Sequence, residues 1–483
     1  MKRILCTILV AALGFSMISG CRNEESDESS MPSTTENGED DTDSNTTTAS
    51  GKDTTTNHTQ TTSQTPTNGT PAPTKVTSSS ATTTNHPTAT KNTQDSQNAI
   101  DKLGSPNISY ACNDGSVLST YYFKAVKDFE NVCAYYESAG YTCYSTMDVG
   151  GNLSKTYVKG GAMAHVYFHP SRRELNIVLS ETAGSTLPPA KPAVTDGSYT
   201  CKIVQIEDNE HVNGMGYIIQ LKDGSYIVYD GAYASQVPKI KKYLAENHKG
   251  GGKPIIRAWV LTHSHDDHYP AFKALAEAAA TEDMPFVLEN VILSPLNPDA
   301  VMLGNNDRYL CEQVYRDAAN FKGTKMIFAH TGMKFTFCNL TMEVLYAPET
   351  YYKTTNTVGN FNNTSIVTRL TDGKYSALML ADVGIQGTDL MANLYGSSLK
   401  SDICQISHHG VEDVPLSFYK LVEASILFYP CNRALYLHER HLSVRQEMEK
   451  WACTKEILIA GVGQFERKWG TTFDKNAPLS KPW

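Results

Sequence analysis

The sequence predicts an α/β protein: a sandwich of two β-sheets covered by helices on the outside, preceded by a small α/β domain and a long disordered tether. Three observations predict it. Between residues 198 and 483, apolar β-branched runs alternate with helix-period segments and hairpin-like strand pairs, the pattern of sheets with helices packed outside. From Arg22 to Ala99 the chain holds no aromatic residue, no Leu and no Ile, so it cannot bury enough apolar surface to offset its ordering entropy. Residues 184–197, with Pro188, Pro189 and Pro192, read as a stiff connector between the sandwich and the small domain at 105–183.

In chain order, Met1–Gly20 has a basic start, an apolar run from Ile4 through Ile18, and small residues before Cys21. The run is too short and wrongly flanked to span a membrane and reads as an export signal. Ile18-Ser19-Gly20-Cys21 resembles the bacterial lipoprotein box, which implies lipidation of Cys21 and attachment to the outer face of the cell membrane. Residues 21–104 then form the tether, rich in Thr, Ser, Asn, Pro and acids.

In the small domain, Thr120–Ala139 spaces Phe123, Val126, Phe129, Val132 and Tyr136 as one helical face, stopped by Gly140. Strands follow at Tyr141–Val149, Lys155–Lys159, Ala164–His169 and Glu174–Ser180. His165 and His169 have no acid or cysteine at ligand spacing and read as ordinary strand and turn residues.

The sandwich opens with strand Cys201–Glu207 and a hairpin, Gly216–Leu221 and Tyr226–Tyr229, turned by Asp223-Gly224. Helix Pro270–Ala280, strand Phe286–Leu293, helix Asp307–Phe321 and strands Lys325–Ala329, Lys334–Cys338 and Thr341–Tyr346 follow.

The chemistry is concentrated where the apolar run Ile255–Leu261 ends in Thr262-His263-Ser264-His265-Asp266-Asp267-His268. Two imidazoles at i and i+2 on a tight loop can turn toward one cation, and Asp267 with His268 toward a second position. Imidazole nitrogen with carboxylate oxygen suits zinc, and manganese or iron where carboxylates dominate. Two later strands supply partners: Ser376–Ala381 ends in Asp382, a carboxylate able to bridge two cations, and Asp402–Ser407 ends in His408-His409-Gly410, an imidazole to complete the second site.

The loop resembles the HxHxDH signature of the metallo-β-lactamase-fold hydrolases, with His263, His265, Asp267 and His268 in its four defined positions. Asn362-Asn363-Thr364-Ser365-Ile366-Val367, Leu380-Ala381-Asp382 and Ile406-Ser407-His408-His409-Gly410 resemble the ComEC-like branch, which includes the extracellular hydrolase domain of bacterial competence channels. The resemblance runs from Lys202 to near the C-terminus and implies an αββα sandwich holding one or two zinc ions on His263, His265, Asp267, His268, Asp382 and His408. It implies that Asp230, after the second hairpin strand, braces the metal loop from behind. Ala381 stands where the branch has Gly. Many relatives have a further ligand His before the bridging Asp; the His of that interval here, His330, sits off the motif position and reads as a surface residue. The first metal position is thereby short of one protein ligand.

The chemistry implied is metal-assisted hydrolysis of a phosphodiester or ester, with DNA, a nucleotide or a wall polymer as candidate substrates. Asp267 or Asp382 would orient the attacking water, and His409 or His441 would hand a proton to the leaving group; His438 is the alternative to His441. A non-catalytic, metal-containing wall- or polymer-binding lipoprotein is the rival reading, and a β-lactamase fits the later motifs less well.

Charge narrows the substrates. The chain carries a net charge of −9, of which residues 22–100, with eleven acids and four bases, supply −7. The folded part lacks the basic footprint of a protein that grips nucleic acid by its phosphates. The cysteines after Cys21 form no CxxC pair and no zinc-ribbon spacing.

Overall fold

The computed structural model describes residues 100–191, 198–355, 357–411, 414–438 and 442–483. The predicted export signal, Cys21, nearly all of the tether and His441 lie outside them. Ordered structure begins before the predicted tether end at 104: Ile100 and Leu103 are buried against the first helix.

The small domain is a six-stranded sheet of β1 (Ile108–Ala111), β2 (Val117–Tyr121), β3 (Thr142–Val149), β4 (Asn152–Lys159), β5 (Ala162–His169) and β6 (Glu174–Ser180), in the order β1-β2-β6-β5-β4-β3. All its neighbours are antiparallel. The helix, α1 (Val126–Ser138), is shorter than the spacing predicted. Tyr121 pairs with Leu175 in the sheet, and Phe123 takes a left-handed φ of 60° and is 78% exposed, so the strand ends there and the helix starts after it. The face of α1 that meets the sheet carries Phe129, Val132, Cys133 and Tyr136.

The sandwich has two mixed sheets. The first contains β7 (Lys202–Gln205), β8 (Gly216–Gln220), β9 (Tyr226–Asp230), β10 (Ile255–Val260), β11 (Val287–Leu288), β12 (Asn290–Leu293), β13 (Lys325–Phe328) and β21 (Phe465–Lys468), along the path β13-β12-β10-β9-β8-β7-β21 with β11 beside β10. The second contains β14 (Lys334–Phe337), β15 (Leu340–Tyr346), β16 (Val367–Thr371), β17 (Ser376–Met379), β18 (Ile403–Gln405), β19 (Ile426–Tyr429) and β20 (Glu456–Ile459), in that order.

Period-two alternation decides which layer each side chain joins. In β9, Ile227 and Tyr229 face the second sheet with Ala258, Val260, Met342, Met379 and Phe428. Tyr226 and Val228 face outward onto α2 (Val237–Asn247), α3 (Pro270–Ala279) and α4 (Asn305–Ala318), with Trp259, Phe272 and Phe321. The outer face of the second sheet is covered by α6 (Ile385–Tyr395) and α7 (Leu416–Val422), while the short α5 (Glu349–Tyr352) sits at a loop. Among the described residues no helix is long and apolar enough to cross a membrane.

The small sheet docks on the sandwich rather than standing apart. Tyr110, Leu118, Met163 and Tyr167 share one core with the inner strands. Polar contacts are buried along the seam: Lys353 Nζ lies 2.6 Å from Glu174 Oε1, Asn152 donates to Leu394 O (2.6 Å), Ser154 to Gly332 O (2.5 Å), and His165 Nε2 to Thr331 O (2.9 Å). All nine cysteines of the described part are free.

Candidate metal centre

Each strand that the sequence marked delivers its polar end to one rim of the sandwich. β10 runs buried through Val260 and Leu261 and opens into the His263–His268 loop before Pro270 starts α3. Asp230, at the end of the neighbouring strand, takes a left-handed φ of 51° and is fully buried. Its carboxylate accepts from Thr262 N (2.7 Å), Thr262 Oγ1 (2.7 Å) and His268 Nδ1 (2.8 Å). Asp230 thus stands behind the loop, where the resemblance expects it, and fixes which nitrogen of His268 carries the proton. Burial pushes its carboxyl up, against the pull of the His268 and Thr262 donors.

Two ligand groups share Asp382. His263, His265 and Asp382 form one; Asp267, His268, Asp382 and His409 form the other, the candidate atoms of each lying within 4.8 Å of one another. His263 Nε2 and His265 Nδ1 are 3.1 Å apart, close to the spacing of about 3.3 Å that two imidazoles take on one tetrahedral zinc. Asp382 Oδ2 is 3.9 Å from His263 Nε2 and 3.3 Å from His409 Nε2, and Asp382 Oδ1 is 3.1 Å from His268 Nε2. One carboxylate therefore faces both groups.

The tautomers follow from the hydrogen bonds. His268 Nδ1 donates to Asp230, and His409 Nδ1 donates to Pro430 O (2.7 Å). In the neutral form each Nε2 points a lone pair at carboxylate oxygens, and His268 Nε2, His409 Nε2 and Asp382 Oδ1 are buried without a hydrogen-bond partner. Lone pairs facing carboxylates repel, and orphaned buried groups cost about 1–3 kcal/mol each. A positive charge between them removes the conflict, whether a proton or a cation, and the clustered imidazole and carboxylate donors fit a metal.

Electrostatics point the same way. Burial opposes charge on His268 and His409, yet Asp382 and Asp267 overcome it, raising His268 well above its ordinary value and His409 to about 9. Burial likewise opposes the Asp382 and Asp267 carboxylates, which the two imidazoles nonetheless hold well below the usual range. His263 and His265 are shifted down, by burial first and then by His268. The pocket demands positive charge, and two neutral imidazoles stand beside it as donors.

The backbone at the other two strand ends is unusual for the residues it carries. Ala381 sits at φ 49°, His408 at φ 47° and His409 at φ 56°, all left-handed. Gly410 follows at φ 85°, where a Cβ would come within 2.8 Å of the Tyr429 ring. Buried Gln405 clamps the Asp382 loop, accepting from Leu380 N (2.8 Å) and Ala381 N (2.6 Å) and donating to Ala381 O (3.1 Å). Ser365 donates no ligand but supports two: its Oγ lies 3.2 Å from Asp382 N and 3.4 Å from His263 Nδ1.

Two expectations are corrected. His408 belongs to neither ligand group; its Nε2 lies 3.1 Å from Asn362 Nδ2, and His409, expected as a proton donor, takes the place among the ligands. Successive left-handed residues turn the two side chains apart, which no spacing rule reveals. His330, expected at the surface, is fully buried, because the small sheet covers it. His438 is exposed, away from both groups. Sequence reasoning passed over buried Gln405 and also half-buried Asn213, which donates to Asp267 Oδ2 and is itself held by Tyr233 (3.1 Å); a polar residue placed by tertiary packing carries no local signal.

No family model and no curated protein matches the chain. Among solved structures it is similar to the metallo-beta-lactamase fold protein YhfI from Bacillus subtilis, at 16% identity and a TM-score of 0.36 over 56% of this chain and 100% of that one. A diphosphatase from the PhnP family follows at 11% identity and a TM-score of 0.32 over 56% and 98%. Zn(2+)-bound PqqB from Methylobacterium extorquens follows at 11% identity and a TM-score of 0.33 over 55% and 99%. With two facing sheets, helices on both outer faces and the His263–His268 loop at the strand ends, the chain has the αββα sandwich of the metallo-β-lactamase fold.

Proposed function

We propose that the protein is a metal-dependent hydrolase that cleaves phosphodiesters, exported and lipid-anchored through Cys21 to the outer face of the cell membrane. One observation carries the hydrolytic reading: two ligand groups share Asp382, one built from four side chains and the other from only three. Three protein ligands leave a coordination position for water, the mark of a catalytic rather than a structural site. The missing further histidine is then an opening rather than a defect.

His263, His265 and Asp382 would hold one zinc-class cation and Asp267, His268, Asp382 and His409 the other. When bound, such ions lower the pKa of water toward neutrality and polarise the scissile oxygen. The chain's own residues do the rest. Asp230 and Pro430 O fix the tautomers of His268 and His409, Ser365 and Gln405 hold Asp382 between the groups, and Asn213 holds Asp267. Rigid donors of this kind need no reorganisation during reaction. A paired site suits in-line displacement at phosphorus, which favours phosphodiesters, whether in DNA, a nucleotide or a wall polymer, over lactams. The leader ending in Ile18-Ser19-Gly20-Cys21 supports export and anchoring.

The test is metal analysis of the full chain together with turnover of bis(p-nitrophenyl) phosphate and of a chromogenic lactam, in the wild type and in Asp267→Ala/His268→Ala. At least two metals per chain, with fewer metals and no ester cleavage in the variant, is the expected result. Bound metal without turnover of either substrate would favour the non-catalytic binding lipoprotein, and turnover of the lactam alone would replace phosphodiester by amide chemistry. Detergent partition of the wild type against Cys21→Ser tests the anchor.

A further inference from the structure

A second cluster of ligand-type side chains lies at the seam between the small sheet and the sandwich and shares no residue with the centre described above. Cys112 and Asp114 come from the turn after β1, and His330 from the connector after β13. Their candidate atoms, the Cys112 sulfur, an Asp114 carboxylate oxygen and a His330 ring nitrogen, lie within 4.8 Å of one another. Occupied zinc would draw such atoms to separations of about 3.3–3.6 Å, a closure of roughly 1 Å that a turn and a connector can supply.

The cluster is otherwise unexplained. His330 is fully buried, and neither of its ring nitrogens has a hydrogen-bond partner. Glu349, 2% exposed, approaches with Oε1 3.4 Å from His330 Nδ1 while accepting from Thr331 N (3.2 Å); its Oε2 is buried and unpartnered. Asp114 is tied in place by Ser116, whose N and Oγ donate to its Oδ1 at 2.9 and 2.6 Å, and is itself only partly buried, which gives the cluster a path to solvent. A buried imidazole unsatisfied at both nitrogens beside an unsatisfied carboxylate oxygen is rare in folded proteins.

We infer that Cys112, Asp114 and His330 form a site for a zinc-class divalent cation, with Glu349 bracing His330, that ties the small sheet to the sandwich. A sulfur, nitrogen and oxygen set of this kind selects zinc over magnesium or calcium, and the brace corresponds to a carboxylate steering a ligand histidine. The site stands whether or not the other centre is catalytic, because the catalytic reading uses no cysteine.

That difference supplies the test. Full-length protein is stripped with chelator and titrated with Co2+, and the sulfur-to-cobalt charge-transfer band in the near ultraviolet is recorded. The His and Asp ligands of the other centre cannot produce it. The band appears in the wild type and in His263→Ala/His265→Ala, is lost in Cys112→Ser, and persists in Cys311→Ser. If Cys112→Ser does not fold, Asp114→Asn takes its place and weakens Co2+ retention against chelator by about tenfold or more. No band in the wild type, or a band kept in Cys112→Ser or retained undiminished in Asp114→Asn, overturns the assignment.

Discussion

Asp230→Asn isolates the residue on which the geometry of the metal loop turns. The carboxylate takes three donors, Thr262 N on one oxygen and Thr262 Oγ1 with His268 Nδ1 on the other. An amide offers one acceptor and one donor. If its oxygen faces His268, its NH2 opposes Thr262 N–H; if reversed, the NH2 faces His268 and forces the proton onto Nε2, the lone pair aimed at Asp382. Loss of a partner of this kind behind a ligand histidine costs about 10–100-fold in metal affinity, or about 1.4–2.7 kcal/mol. The orphaned donor adds about 1–3 kcal/mol of lost fold stability. Competition with a chromophoric chelator reads the first quantity and urea unfolding the second. A folded Asp230→Asn protein that holds metal as tightly as the wild type would refute the account of the loop.

Other perturbations test separate parts. His409→Asn is expected to lose metal by tenfold or more while His408→Asn keeps it; asparagine tolerates the left-handed backbone at both positions, so elemental analysis reads the ligand and not the fold. Lys353→Met leaves buried Glu174 with Arg172 (2.9 Å) as its ion-pair partner and the Asn176 amide (3.0 Å) as a neutral donor and should cost about 3 kcal/mol in urea unfolding; a loss under about 1 kcal/mol would mean the seam tolerates the charge. His169 is fully buried and burial pushes it down to about 3. Its folded pKa lies below the unfolded value, so its neutral form is compatible with the fold above about pH 6.5 and stability falls as pH drops from there toward 3. The expected contribution is about 1.4 kcal/mol per pH unit. Between pH 6 and 4 the stability of His169→Gln should fall less steeply than the wild type by that amount, and parallel slopes would count against it.

Much of this was legible in the sequence because it is local. Strands buried on both faces appear as largely apolar runs such as Ile255–Leu261, in which Arg257 is the one charged residue, and the ligand loop follows it without a gap. Asp382 was found by the same rule, a carboxylate at a strand end. What failed was set by distant partners. Tyr121 joins a strand because Leu175 lies beside it, although its spacing also fits a helix. His330 is buried by a sheet nearly two hundred residues earlier in the chain. The choice between His408 and His409 rests on left-handed backbone at both positions, held by the Pro430 carbonyl and by Gly410 against Tyr429.

The seam changes what counts as the smallest working piece of this protein. A sandwich excised at residue 198 would leave Lys353 without Glu174, strip the carbonyls of Gly332, Thr331 and Leu394 of their donors, and bare the side chains that pack on Tyr110, Leu118, Met163 and Tyr167. Such a fragment would aggregate before its chemistry could be assayed. For expression, grafting or recombination between relatives, the small sheet and the sandwich have to travel as one cassette starting near Ile100.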